Sequence, residues 1–105
     1  MAWIKVCPAD ALTASTFRVV ENDDGDEILV ARVGDEIYAV ANECSHDRRG
    51  FEGGCIEDGQ IVCPRHGARF CLKTGEVKAP PAYVDIEVYP VRIEDQWIEV
   101  EEEPL

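Results

Sequence analysis

A chain of 105 residues has room for one domain with a modest core. Its 46 % hydrophobic content is that of a globular protein, and 22 acidic against 10 basic residues, net −12, argue against nucleic acid or an anionic membrane as the main partner. No apolar run approaches the roughly 20 residues a bilayer span needs, and Met1 leads straight into Trp3, Ile4 and Val6 without a basic, cleavable leader, so the expected location is cytoplasmic, and of the five cysteines Cys7, Cys55 and Cys71 are expected as thiols rather than a disulfide framework.

In chain order, Ala2–Cys7 is an apolar run that opens a sheet, and Pro8 ends it before a turn or single helical turn at residues 9–12. Thr16–Val20 is branched and aromatic and reads as a strand. Residues 21–26 form an acidic turn around Gly25; they lack the spacing and closing glutamate of an EF-hand loop, so a solvated hairpin turn is expected. Glu27–Val33 and Glu36–Asn42 are strands joined through Gly34-Asp35, a hairpin signal. Residues 47–59, with four glycines, read as loop; Gln60–Val62 is a short strand, Phe70 and Leu72 return to the sheet, and 73–76 turn again. Pro80-Pro81 marks a rigid crossing. Tyr83–Val88 alternates as a strand would, residues 91–93 and 97–100 form a last hairpin, and 101–105 are expected as a solvated end. Trp3 and Trp97 are expected in the core. Nothing keeps a helical period over three turns, so the prediction is an all-β domain of short antiparallel strands.

The hairpin at 27–42 delivers the chain to Cys44-Ser45-His46, and the strand at 60–62 delivers it to Cys63-Pro64-Arg65-His66. Each patch offers one thiol and one imidazole, and both histidines of the chain are used. Two soft anionic ligands with two neutral nitrogen ligands suit either a tetrahedral zinc or an iron–sulfur cluster. The segment 44–75 carries four acids and five bases, whereas both flanks are strongly acidic. Arg48 and Arg49 read equally well as a docking feature or as a solvated face. No carboxylate pair, nucleophile–base set or phosphate loop is present, so independent catalysis is not expected.

The arrangement C-x-H followed by C-x2-H resembles the Rieske [2Fe–2S] domain family, in which histidines replace the two cysteines on one iron. Cys63-Pro64-Arg65-His66-Gly67, Phe70, Lys73-Thr74-Gly75-Glu76 and Ala79-Pro80-Pro81 carry the likeness further, toward the small soluble ferredoxins of bacterial aromatic-ring dioxygenases. The resemblance covers nearly the whole chain. It implies a single Rieske domain over 1–105 with a two-loop cluster-binding subdomain at about 43–71. One [2Fe–2S] cluster would be held by Cys44 and Cys63 on one iron and by His46 and His66, through Nδ1, on the other. The implied role is a monomeric electron carrier, not an enzyme, between an NADH-dependent flavoprotein ferredoxin reductase and a terminal Rieske non-haem iron oxygenase. The alternatives are the small subunit of an assimilatory NAD(P)H nitrite reductase and a Cys2His2 structural zinc domain; the latter lacks the usual C-x2-4-C knuckles.

The departures from the family pattern are informative. High-potential Rieske proteins carry an extra cysteine in each ligand loop, bridged to each other; the matching residues here are Arg49 and Arg65. Those proteins also aim a serine and a tyrosine hydroxyl at sulfur, where this chain has Ala68 and Phe70. Fewer hydrogen bonds to sulfur imply a potential near the low end of the Rieske range, roughly −150 mV. Gly67 is expected to permit close backbone approach to the cluster or to serve as a turn glycine, and Pro64 to stiffen its loop. Phe51 and Phe70 are expected as water shield or core, and Asp47 as an electrostatic neighbour of the histidines. Cys7 and Cys71 are expected as structural thiols, and Cys55 as the thiol most open to oxidation.

Overall fold

The computed structural model describes residues 2–105; Met1, the first residue of the expected 1–105 domain, lies outside the described residues. The strands are β1 (Trp3–Pro8), β2 (Phe17–Glu21), β3 (Glu27–Val33), β4 (Glu36–Ala41), β5 (Cys55–Glu57), β6 (Gln60–Val62), β7 (Arg69–Cys71), β8 (Val77–Ala79), β9 (Val88–Tyr89), β10 (Val91–Glu94) and β11 (Trp97–Glu101), with one 3-10 turn at Ala9–Ala11. They build three antiparallel sheets in the orders β1-β11-β10, β2-β3-β4-β9 and β5-β6-β7-β8. No helix among the described residues is long and apolar enough to cross a membrane.

The middle sheet is the wall between two cores. On β3 the run Ile28, Leu29, Val30 and Ala31 has no exposed surface at all, because both of its faces are covered. The side-chain period of two sorts them: Leu29 and Ala31, with Val40 of β4, face a core shared with the sheet β5–β8. Ile28 and Val30, with Ile37 and Ala39, face a second core built with Cys7, Ile98 and Val100 of the terminal sheet. The first of these cores also contains Cys44, Phe51, Cys63, Ala68 and Phe70, so the ligand patches are seeded in packed interior.

Several local expectations hold, with physical detail added. The acidic turn after β2 is organised by Asn22, whose Oδ1 accepts from the backbone N–H groups of Asp24 and Asp26 at 3.0 and 2.9 Å, and Gly25 sits at φ 84°. The hairpin β3–β4 closes with Val33 opposite Glu36 and Gly34 at φ 59°. The last hairpin turns through Asp95 and Gln96 at φ 51° and 69°, the primed-turn conformation, without the glycine that would advertise it.

Four expectations are corrected. Residues 47–59 are not all loop, since Cys55–Glu57 pairs with β6. Tyr83–Val88 is not a strand: only Val88 reaches the ladder, while Tyr83 and Val84 are 82 % and 65 % exposed and Asp85 accepts from the Val77 N–H. Of its apolar residues only Ile86 and Val88 pack inward. Trp3 and Trp97 lie on the outside of the terminal sheet, under Arg92 (4.2 Å to the ring centre) and Lys5 (5.5 Å). The C-terminal end is solvated at 103–105, as expected, but it is also tied down: Glu101 is buried, Glu102 accepts from Asn22 and Asp23, and Leu105 N–H donates to the Val88 carbonyl at 2.8 Å.

Candidate metal centre

Both ligand patches fold into the same backbone turn. In the first, Cys44 N–H donates to the Arg49 carbonyl at 2.8 Å and Arg48 N–H to the Cys44 carbonyl at 2.7 Å. In the second, Cys63 N–H donates to the Ala68 carbonyl at 2.8 Å and Gly67 N–H to the Cys63 carbonyl at 3.1 Å. The fifth residue of each turn takes a left-handed conformation, Arg48 at φ 65° and Gly67 at φ 77°. This conformation favours glycine at Gly67, where a Cβ would meet no protein atom within 4 Å, although Arg48 holds the same conformation with a side chain. Cys71 opens a third turn of the same pattern, with Cys71 N–H to the Glu76 carbonyl at 2.9 Å and Gly75 N–H to the Cys71 carbonyl at 2.7 Å. Hydrogen bonds from Thr74 and Lys73 outweigh burial and hold the Cys71 thiol below the usual thiol range. Cys71 is half-buried rather than buried, and it is not among the converging donors.

The structure brings the predicted residues together in two pairs. Cys44 and Cys63 are 0 % and 1 % exposed, and their sulfurs lie within 4.8 Å of each other and of an Asp47 carboxylate oxygen. Burial pushes the Cys44 thiol up, opposed by the backbone N–H groups of His46 and Asp47. The His46 and His66 rings stand edge to face, centres 5.2 Å apart, and both residues are exposed. The site is therefore polarised, with sulfur inside and imidazole outside. A single zinc would gather four donors at about 2.0–2.3 Å, hence within about 4 Å of one another; among the described residues, neither imidazole belongs to the group converging with the thiols. Two thiols set deep and two imidazoles set outward match the donor set of a two-iron cluster with one iron on each side.

Asp47 is not a free donor. Arg65 grips it with Nε to Oδ2 at 2.5 Å and Nη2 to Oδ1 at 3.0 Å, and the Arg49 N–H adds 3.1 Å to Oδ1. The Arg65 hydrogen bonds hold its carboxyl well below the usual carboxylate range. Cys55, the exposed thiol, lies 3.5 Å from Glu57 Oε2; residual burial and that carboxylate push it up, which lowers its thiolate fraction despite its exposure.

Two supporting residues escaped the sequence reading. Asn42 is 4 % exposed and pins the first loop: its Oδ1 accepts from Phe51 N–H at 2.9 Å while its Nδ2 donates to Glu27 and Glu52 at 3.0 and 3.1 Å. Ser45 Oγ donates to the Val84 carbonyl at 2.6 Å, tying the same loop to the segment after the prolines. The only signal for Asn42 was an amide at a strand end two residues before a ligand candidate. Replacing it by alanine orphans the buried Phe51 N–H, and Asn42→Ala is expected to lower stability by about 1–3 kcal/mol in urea unfolding. A loss below about 0.5 kcal/mol would show that the pin carries nothing.

The model of the Rieske [2Fe–2S] domain family matches residues 2–90. A biphenyl dioxygenase ferredoxin subunit from a Pseudomonas strain is 31 % identical over 102 residues, covering 96 % of this chain and 93 % of the relative. Among solved structures, a chain from the complex of reduced oxygenase and oxidised ferredoxin in carbazole 1,9a-dioxygenase superposes with TM-score 0.93 at 31 % identity, covering 98 % of this chain and 95 % of that one. A putative NADH-dependent nitrite reductase small subunit from Mycobacterium tuberculosis superposes at 0.83 with 24 % identity over 94 % of this chain and 93 % of that one, a likeness of fold alone. With the polarised thiol–imidazole site and the family match spanning most of the chain, this protein belongs to the Rieske [2Fe–2S] domain family.

Proposed function

We propose that this protein is a Rieske-type ferredoxin that carries single electrons within an aromatic-ring-hydroxylating dioxygenase system. It accepts them from an NADH-dependent flavoprotein reductase, delivers them to a terminal Rieske oxygenase, and acts as one unit of 1–105 and as a monomer. Cys44, Cys63, His46 and His66 would hold the cluster. The observation that carries the reading is the polarity of the site: both thiols are closed inside the core while both imidazoles reach the surface. When bound, the cluster supplies a centre that takes up and gives back one electron.

The chain's own residues do the rest. Phe51 and Phe70, both fully buried and packed edge to face at 5.6 Å, keep water from the sulfur side. His46 and His66 present the outer edge to a partner, flanked by Arg48 and by the exposed Tyr83-Val84 step that Ser45 anchors. An apolar step beside an exposed redox edge suits a transient contact that must form and release quickly. The nitrite-reductase reading has only a shared fold behind it.

The test is direct. Purified protein should be red-brown, contain two irons and two sulfides, give a reduced Rieske EPR signal, and couple an NADH-dependent reductase to a ring-hydroxylating oxygenase. Colourless protein holding zinc would sink the proposal, and co-purification with a sirohaem protein without oxygenase coupling would move it to the nitrite-reductase system. The low-potential expectation has its own measurement. Ala68 and Phe70 have no exposed surface and share the core that contains both ligand cysteines, so a hydroxyl added there must find its acceptor inside, and we propose that sulfur supplies it. Ala68→Ser and Phe70→Tyr are each expected to raise the midpoint potential in a redox titration; unchanged values would remove the hydrogen-bond explanation.

A further inference from the structure

The two ligand turns superimpose in register, each starting on its cysteine. Position three of the first turn is His46 and position four is Asp47; in the second these positions are Arg65 and His66. Position three of each turn meets position four of the other. One such cross-pair is the imidazole couple His46–His66, and the other is Asp47–Arg65. This also gives a reason for the unequal spacings C-x-H and C-x2-H. Apart from the thiol–thiol contact of Cys44 and Cys63, the hydrogen bonds that cross between residues 44–50 and 63–68 all start on the Arg65 guanidinium. Beyond the two bonds to Asp47, Nη2 lies 3.3 Å from the Arg49 carbonyl, the same oxygen that receives the Cys44 N–H.

We propose that the Asp47–Arg65 ion pair is the clasp that closes the two ligand loops on each other, with Arg65 at one of the two positions where high-potential relatives are expected to carry bridged cysteines. The inference rests on the ligand assignment proposed above. A carboxylate and a guanidinium meeting through two parallel bonds fix distance and orientation together. The side chains are only 15 % and 21 % exposed, so the pair is less screened than an open surface pair. Asp47 directly follows one histidine and Arg65 directly precedes the other, so holding them holds both imidazole-bearing peptides. Unlike a disulfide, the clasp needs no oxidising compartment. Asp47 and Arg65 are positioning residues: neither supplies a ligand atom.

The experiment is a double-mutant cycle on the holoprotein with Asp47→Asn, Arg65→Gln and the pair combined. It reads the rate at which visible absorbance bleaches under excess EDTA, with iron counted at each point. Asp47→Asn leaves Arg65 without its carboxylate beside the thiols, and Arg65→Gln leaves Asp47 with only Arg49, whose exposed guanidinium lies 3.8 Å away within the same loop, so each is expected to accelerate bleaching about five-fold, with the double variant no faster than the worse single. Single variants that bleach at the wild-type rate, or a double variant whose effect is the product of the two, would overturn the clasp. Should a single variant not accumulate with cluster, the exchange Asp47→Arg/Arg65→Asp decides. Recovery of cluster content supports the pairing, and continued loss overturns it. Wild-type protein without a [2Fe–2S] spectrum would instead sink the ligand assignment, a separate outcome visible before any variant is made.

Discussion

Cys63→Ala is expected to yield a folded, colourless protein with no [2Fe–2S] EPR signal. Cys63 is 1 % exposed and lies beside Cys44 within the core that also contains Phe51 and Phe70. Removing its sulfur deletes one of two thiolate donors on the buried side, and the remaining Cys44 thiol, pushed up by burial, has no second sulfur with which to hold iron. The fold should survive, because alanine is an apolar, smaller occupant of a site whose side chain has the Cys44 thiol as its hydrogen-bond neighbour. Far-UV circular dichroism and gel filtration check that point. Cys71→Ala is the matched control: it opens an equivalent turn but does not converge with the other donors, so its colour and iron content should equal the wild type. Full cluster content in Cys63→Ala, or its loss in Cys71→Ala, would reverse the assignment of the two turns.

Phe51→Ala is expected to cost about 3–5 kcal/mol in urea unfolding, a large share of the stability of a small domain. The ring has no exposed surface, meets Phe70 edge to face at 5.6 Å and shares its core with both ligand cysteines. Its backbone is held as well, with its N–H on Asn42 and its carbonyl accepting from Gly54 at 2.8 Å, so the chain has little freedom to collapse into the void. The cavity would open directly behind the thiols, and the same variant should bleach faster under chelator. Tyr83→Ala, by contrast, removes a ring that is 82 % exposed and should change stability by no more than about 0.5 kcal/mol. A cost below about 1 kcal/mol for Phe51→Ala would mean that the core around the site relaxes freely.

The local misreadings share one cause. Tyr83–Val88 alternates by residue type, yet Tyr83 and Val84 point outward while only Ile86 and Val88 pack inward, because alternation reports a period and not which residues are covered. Cys55–Glu57 was hidden among four glycines and becomes a strand only because Gln60–Val62 lies beside it; at Gly54 a Cβ would meet the Val62 and Phe51 carbonyls. Trp3 and Trp97 were expected inside by size and type, but each alternates to the outer face of a sheet whose inner face is filled by Cys7, Ile98 and Val100. The end at 101–105 reads as charged and solvated, and is nonetheless fastened by long-range hydrogen bonds to Asn22, Asp23 and Val88.

By itself the sequence determined the class of strands, the hairpin at 27–42, the two cysteine–histidine patches and the family, since these depend on residue type at short spacing. The resemblance also implies that the loop-to-loop disulfide of high-potential relatives is missing here, with Arg49 and Arg65 at its positions. The tertiary structure alone decided what Arg65 does instead. An ion pair eighteen residues apart in sequence depends on two separate turns being brought face to face, and nothing local at Asp47 or Arg65 encodes that meeting. The same is true of the site's polarity. Identical Cys and His letters become a buried sulfur side and an exposed imidazole side only when the middle sheet closes one core over the thiols and leaves the histidines beyond its edge.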